Sequence, residues 1–302
     1  MYKSYFIALI LAVIQWVSPA FADRTEPKLR LKTQFLGTYS WDVDDARFGG
    51  LSGLEMNRTG SWFAAVSDLG VFVTGRIIRQ GSNQRISAVE QVALNTMKNE
   101  DGGKMPRYFN DSEGLAMYPD GRMFVSFEGE HRVWSYPDPF SGATALPRHP
   151  DFDKMQKNSS LEALALGPDG ALYTIPERSG TKTRPFPVYR YFEGVWSQEY
   201  GISRSGKFLI VGADFGPDGK LYILERSFGL FGFGSRVRRF DQTVDGFGNE
   251  DVILQTDMSV HDNLEGINVW RDSAGYIRIT MISDDNFNFL QSTEFVEYRV
   301  LR

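Results

Sequence analysis

The sequence contains no cysteine and only three histidines among its 302 residues. Without cysteine the chain can form no disulfide, no thiolate metal site and no thiol nucleophile. Three histidines argue against a zinc site built from several imidazoles. The G-x-S-x-G pattern of serine esterases is also missing, which excludes the usual serine nucleophile elbow.

Long apolar runs are missing beyond residue 22, so no later segment is suited to cross a membrane. The first 22 residues read MYKSYFIALILAVIQWVSPAFA, with one charge, an apolar run, and Ala20 and Ala22 in A-x-A form. This layout is typical of a secretory signal peptide, whereas the run from Tyr5 to Val17 is short for the alternative, a membrane anchor. We therefore expect a signal peptide at 1–22, a mature domain at 23–302, and a periplasmic or secreted protein without an integral membrane span.

An excess of positive charge is absent as well, because 33 basic residues face 38 acidic ones and the net charge is −5. This balance argues against nucleic acid as a partner, since such binding depends on basic surfaces. What the chain does have is glycine, with 30 residues, and a 14% aromatic content. Both are typical of β-rich proteins with many tight turns.

One short pattern recurs along the chain: an apolar run, a glycine-containing turn, and a second apolar run that ends in an acid. It reads NDSEGLAMYPDGRMFVSFE at 110–128, SSLEALALGPDGALYTIPE at 159–177, VGADFGPDGKLYILER at 211–226 and NLEGINVWRDSAGYIRITMISDD at 263–285. A weaker copy, GLSGLEMNRTGSWFAAVSD, lies at 50–68. Two alternating runs joined by such a turn predict a β-hairpin.

Most repeats leave room for two more strands, and four antiparallel strands in ~40–50 residues are the signature of a β-propeller blade. The sequence thus predicts an all-β fold, a propeller of five blades by repeat count. A sixth blade stays possible because the first two copies lie further apart than the others. The last repeat has only one further strand, FVEYRV, so the segment LRLKTQFLGTY near the N-terminus is expected to complete it and close the ring. A pair of β-sandwiches, the alternative, does not explain the repeat.

Carboxylates occupy matching places in these copies. Glu113, Glu162 and Glu265 open the first strand of their hairpins, which in a propeller lines the central channel. A second acidic set ends the second strands, and antiparallel pairing places both sets on one face. This second set comprises Asp68, Glu128, Glu177, Glu225, Asp284 and Asp285. Crowded carboxylates repel one another unless cations intervene, and calcium prefers such oxygen ligands.

Two copies depart from the pattern: Ser52 replaces the acid in the first, and the fourth has Val211 there with Asp214 three residues later. Arginines follow two of the acids, namely Arg178 and Arg226. Acids for a metal and arginines for an oxyanion suit a phosphate ester. The same residues suit internal salt bridges, so a structural role stays open for each acid.

The copies resemble the phytase-like exported proteins of bacteria, a family labelled "esterase-like activity of phytase". The segments that carry the resemblance are SDLG at 67–70, DSEGLA at 111–116, LEALAL at 161–166, LERSF at 224–228 with RVRRF, and MISDDNFNFLQSTEF at 281–295. By matching position, the resemblance implies a phosphatase or phosphodiesterase site. The implied metal ligands are Asp68, Glu113, Glu162, Glu225, Glu265, Asp284 and Asp285. It further implies calcium ions that bridge to a substrate phosphate.

Our leading hypothesis is an exported, calcium-dependent hydrolase of small phosphate esters. Glu113 or Glu162 would act as general base, and Arg178 and Arg226 would stabilise the developing charge. A lactonase or carboxylic-ester hydrolase on the same fold is the second hypothesis. The third is a propeller that binds an envelope component without catalysis, its acids serving structural calcium or salt bridges.

Overall fold

Twenty strands make up almost all of the regular structure in the computed structural model, which describes residues 32–157, 159–230 and 232–301. The expected signal peptide at 1–22 lies outside these residues. Within them no helix has the length and hydropathy needed to span a bilayer, and the only helical segment is a 3₁₀ turn at Phe152–Lys154.

The strands form five four-stranded antiparallel sheets within the described residues. Blade 1 contains β2 (Leu51–Met56), β3 (Trp62–Ser67), β4 (Val71–Gln80) and β5 (Arg85–Thr96). Blade 2 contains β6 (Ser112–Met117), β7 (Met123–Phe127), β8 (Arg132–Tyr136) and β9 (Thr144–Ala145). Blade 3 contains β10 (Ala163–Leu166), β11 (Leu172–Ile175), β12 (Phe186–Phe192) and β13 (Val195–Ile202). Blade 4 contains β14 (Leu209–Phe215), β15 (Leu221–Gly229), β16 (Gly232–Thr243) and β17 (Gly246–Gln255).

Blade 5 combines both ends of the chain and closes the ring. Its first three strands are β18 (Asn263–Arg271), β19 (Ile277–Asp284) and β20 (Glu294–Val300), and its outer strand is β1 (Thr33–Ser40). β1 pairs antiparallel with β20, with Tyr39 opposite Phe295. The five-blade propeller and its closure by an N-terminal strand are thereby confirmed. The wide spacing after the first copy comes from long strands β4 and β5 and the connector 97–111, not from a sixth blade.

Tight turns join the first two strands of each blade and explain the recurring Pro-Asp-Gly. Gly121, Gly170 and Gly219 have φ values of 93°, 78° and 74°, which side chains with a Cβ rarely adopt. The preceding aspartates accept hydrogen bonds from backbone N–H groups two residues on; the Asp120 bond, from Arg122, measures 3.0 Å. These aspartates are therefore turn formers, at the opposite end of the inner strands from Glu113 and its counterparts.

The apolar core lies between the blades. Each of five clusters of buried side chains joins two neighbouring blades, including one between blades 5 and 1 that packs Phe63 against Phe295 at 5.1 Å between ring centroids. Every sheet is therefore covered on both faces, which is why its inner strands read as nearly continuous apolar runs. Packing on both sides holds the inner strands in place around the channel.

Candidate active site

Glu113, Glu162 and Glu265 come together at one end of the channel, which we call the channel mouth. They meet there because each lies at or next to the start of an inner strand, which is β6, β10 or β18. All three side chains are at least nine-tenths buried. Burial raises the pKa of Glu113 well above its usual range, and the neighbouring Glu162, Asp68, Asp111 and Glu265 raise it further. The mouth therefore concentrates negative charge in a poorly solvated place.

Glu113 is shared by two carboxylate trios whose oxygens lie within 4.8 Å of one another. Asp68 and Asp111 complete the first trio, and Glu128 and Glu162 complete the second. In the described part of the chain, none of these five acids has a basic side chain within 4 Å. This half of the mouth therefore has no basic side chain in direct contact. The cations around it are Arg226, whose charge lowers the pKa of Glu162, and Arg107 and Lys157, which line the cleft beside Asp68 and Asp111.

Burial and the crowding of acids raise the pKa values of several carboxyl groups in the mouth. Burial, followed by the charge of Asp284, raises the pKa of Asp68 well above its ordinary value. Burial also raises the pKa of Glu162, and Glu128 and Glu177 add to the effect. The pKa of Glu128 rises to about 7 through burial, although hydrogen bonds from Glu162 and the Ser160 N–H oppose the shift. Near neutral pH the metal-free mouth therefore retains protons that exposed carboxyl groups would have lost.

Arg226 neutralises the other half of the mouth. Its guanidinium donates to Glu265, to Glu177 at 3.2 Å and to the Asn263 side-chain oxygen at 2.9 Å. Burial alone would lower the pKa of Arg226, but the carboxylates of Glu265, Glu162 and Glu177 raise it above its ordinary value. Arg226 thus brings a positive charge to the mouth from blade 4, whose inner strand has Val211 where blades 2, 3 and 5 have a glutamate.

Ser52 fills the corresponding gap in blade 1. Its hydroxyl lies 3.0 Å from Asp68 Oδ1 and 3.3 Å from Glu265 Oε2. A hydroxyl in this slot donates to one carboxylate, where a fourth acid at the matching positions would add repulsion. The substitution therefore reduces the charge that the mouth must accommodate.

Asp284 and Asp285, at the end of β19, take different positions. Asp284 faces the mouth: Asn263 donates to it at 3.1 Å, and burial with the nearby Glu265 raises its pKa to about 7. Asp285 accepts from the Gly50 N–H at 2.9 Å and from the Thr293 hydroxyl at 2.9 Å. Asp285 therefore secures the loop between β19 and β20, with both oxygens already used.

Glu225 and Asp214 lie away from the mouth. β15 continues to Gly229, so Glu225 lies inside the strand and its neighbour Arg226 points to the opposite face. Fully buried Glu225 accepts from Arg236 at 2.6 Å and from Arg238 at 2.6 and 3.0 Å. Asp214 is at the far end of its inner strand, where the Val269 N–H donates to it at 2.6 Å.

Asp111 is the member of the trios that the repeat pattern did not single out. It precedes β6 and lies beside a cleft of about 440 Å³ that opens next to Asp68 and Tyr108. Burial and the charge of Glu265 raise its pKa. Its position directly before Ser112-Glu113 was the available signal, but the other copies carry no acid there. Arg178, the remaining candidate, is half exposed and donates through Nε to Glu177 at 3.1 Å.

The sequence matches the protein family described as "Phytase-like: Esterase-like activity of phytase" over residues 46–287. No curated protein matches the chain. Among solved structures, the catalytic domain of a GH62 α-L-arabinofuranosidase from Coprinopsis cinerea is similar with a TM-score of 0.54 and 9% identity, covering 89% of this chain and 97% of that one. At this identity the likeness shows the fold alone.

Two weaker structural likenesses are to a regucalcin from Agrobacterium tumefaciens and a gluconolactonase from Xanthomonas campestris. The regucalcin has a TM-score of 0.47 at 10% identity, covering 83% of this chain and 91% of its own. The gluconolactonase has a TM-score of 0.43 at 12% identity, covering 78% of this chain and 68% of its own.

Proposed function

The chain belongs to the phytase-like family, and from this membership we propose that it is an exported hydrolase of phosphate esters that depends on a divalent metal, calcium in first place. The observation that carries the proposal is the pair of carboxylate trios that share Glu113 and, among the described residues, have no basic side chain within ion-pair distance. Arg226 pairs with Glu177 and Glu265, whereas the acids of the two trios have no such partner. The trios are therefore the place in the mouth where a cation is needed.

The donor set fits a hard cation. Asp68, Asp111, Glu113, Glu128 and Glu162 offer only carboxylate oxygens, which calcium prefers and which zinc and copper sites seldom use alone. A bound calcium ion would neutralise phosphoryl oxygens and lower the pKa of the attacking water. Glu265 and Asp284 stand beside Arg226 and Asn263, so we assign them to the rim of the metal site, and we leave Glu225 and Asp285 outside it.

The residues of the mouth divide the remaining work. Whichever of Glu113 and Glu162 keeps an oxygen free of the metal would accept the proton of the attacking water. A bound cation would keep that group ionised, because it opposes the neighbouring negative charges that raise its pKa. Arg178 is half exposed and has a single ion-pair partner, so its free N–H groups can contact phosphate oxygens. Arg226 directs its two Nη groups at Glu177, Glu265 and Asn263 and holds the two acids in position.

The proposal is tested by hydrolysis assays of the purified chain from residue 23 onward. Phytate, a phosphate monoester, a phosphodiester and a carboxylic ester are each offered with calcium and with chelator. We expect calcium-dependent phosphate release and a loss of roughly 100-fold or more in kcat for Glu113→Gln/Glu162→Gln, in the range of a general base. The exposed pair Glu90→Gln/Glu193→Gln, a matched control, should retain full activity.

Two outcomes would contradict the proposal. Full activity of the Glu113→Gln/Glu162→Gln protein would remove the assigned site. Cleavage of only the carboxylic ester, unaffected by chelator, would favour the lactonase or esterase hypothesis, and a folded protein with no turnover would favour the binding hypothesis.

A further inference from the structure

A cavity of about 500 Å³ lies beside the channel mouth, between the connectors 176–185 and 203–208. Four cationic side chains line it: Arg178, Lys182, Arg204 and Lys207. We call this cavity the basic hollow. No acidic side chain lines it among the described residues.

The charge of the two connectors contrasts with that of the whole chain. They carry five basic residues and one acid, Glu177, in a protein of net charge −5. In the described part of the chain only Arg178 of these five has a carboxylate within 4 Å. Lys182 and Lys207 are exposed at the entrance. Like charges gathered around a cavity repel one another, and an oxyanion placed there would relieve the repulsion.

Arg204 is held with unused donors. Its guanidinium lies 4.6 Å from the centre of the Phe186 ring, and Nη1 donates to the Ser179 hydroxyl at 3.2 Å. Its Nε is buried and has no hydrogen-bond partner. A buried N–H without an acceptor is unfavourable, and an oxyanion in the hollow would offset this cost by pairing with the charge of the Arg204 guanidinium.

The floor of the basic hollow is fixed by the buried ion pairs of blade 4. Arg236 donates to the Ser205 carbonyl at 2.8 Å and Arg238 to the Ser203 carbonyl at 2.9 Å. Both arginines are held by Glu225. These bonds run on either side of Arg204, so its connector is positioned before any ligand arrives, which lowers the ordering cost of binding.

Glu177 connects the basic hollow to the channel mouth. One of its oxygens accepts from Arg178, which lines the hollow, and the other from Arg226, which bonds to Glu265 in the mouth. Glu177 therefore contacts one arginine of the hollow and one of the mouth, so the two sites are neighbours. We propose that the basic hollow is an anion-binding subsite that takes a second phosphate, sulfate or carboxylate group of the substrate. The anion site stands on the hollow itself, whereas its assignment to the substrate rests on the proposed function.

Binding of inorganic pyrophosphate in the presence of chelator tests the subsite without any metal or turnover. We expect measurable binding by calorimetry that weakens with salt, and a loss of roughly tenfold or more in affinity for Lys182→Gln/Lys207→Gln, since each charged hydrogen bond contributes about a factor of ten. The exposed pair Arg58→Gln/Arg85→Gln removes the same charge on other parts of the surface and should bind normally. No binding, or equal losses in both variants, would overturn the proposal.

Kinetics then test the link to the substrate. For an ester with a second phosphate group, KM should rise roughly tenfold in Lys182→Gln/Lys207→Gln with kcat unchanged, while a monophosphate ester should show no change. Equal effects on both esters would show that the basic hollow does not bind the second phosphate group of the substrate. If the protein binds pyrophosphate but hydrolyses nothing, the anion site stands and the proposed hydrolase activity fails.

Discussion

Glu225 has two arginines around one fully buried carboxylate. Arg236 and Arg238 both donate to it, and Arg238 also contacts the half-exposed Glu250 at 3.1 Å. A buried ion pair contributes little beyond its desolvation cost, but removal of one partner leaves the other charge without compensation. The negative charge of Glu225 therefore contributes to the stability of the fold, independently of any metal bound at the channel mouth.

Glu225→Gln should destabilise the protein by about 3–5 kcal/mol, because buried Arg236 loses its counter-charge and buried Arg238 keeps only Glu250. Urea denaturation gives the free energy of unfolding, and calcium titration gives the metal affinity, which should stay unchanged. The partly exposed pair of Asp241 with Lys220 provides the control: Asp241→Asn should leave the free energy of unfolding almost unchanged, because solvent screens that pair. A stable Glu225→Gln protein that has lost calcium binding would instead return Glu225 to the metal site.

At the level of the strands, a layer of small residues lets the five inner strands approach one another. Gly53, Gly114, Gly212 and Gly266 occupy matching places, and blade 3 has Ala163 there. A Cβ on Gly266 would lie 2.2 Å from the Ser52 carbonyl of blade 1, and one on Gly212 would lie 2.4 Å from the Glu265 carbonyl. The small residue at this place in every blade thus sets how closely the inner strands, and with them the mouth acids, converge.

Gly266→Ala should therefore destabilise the protein by about 1–3 kcal/mol, the usual cost of overpacking, since backbone and not a flexible side chain stands in the way. Calcium affinity should fall with it, because Glu265 and Ser52 flank the contact. Gly248→Ala on β17 is the control, as its Cβ would meet only the Thr243 side chain at 3.7 Å. Equal free energies of unfolding for the two variants would show that the inner strands can move apart to accommodate a Cβ at position 266 without loss of stability.

The repeat made the strand order predictable from sequence, because every blade carries the same hairpin and the last one lacked a strand that only the N-terminal segment could supply. The end of the channel at which Glu113, Glu162 and Glu265 meet followed from the same register. The register could not predict which way a side chain points when the length of its strand is unknown. β15 continues past Glu225, and the Glu225 side chain points toward Arg236. The sequence places Arg226 near the acids, but it could not show that this residue pairs with Glu177 and Glu265, since those contacts join blades 3, 4 and 5.

For the molecule as a whole, the unpaired acids of the mouth link stability to pH and to calcium. Glu128 and Asp284 have pKa values of about 7 in the folded chain against 4.5 and 3.8 for free groups. Between roughly pH 4.5 and pH 7 the metal-free folded protein therefore holds protons that the unfolded chain has released. The contribution of these protons to the free energy of unfolding is present at the acidic end of this window and is lost as the pH rises.

In chelator, the melting temperature should thus fall between pH 5 and pH 8, by roughly 6–12 °C for a loss on the order of 3 kcal/mol. Calcium at 100 times its Kd should restore about 2.7 kcal/mol at pH 8 and much less at pH 5, where protons compete for the same oxygens. Thermal unfolding followed by circular dichroism at several pH values measures both effects. Glu113→Gln/Glu162→Gln should flatten the pH dependence and remove the calcium effect, since two of the repelling charges are gone. A melting temperature that rises from pH 5 to pH 8 in chelator would mean that the mouth acids are paired within the protein and need no cation.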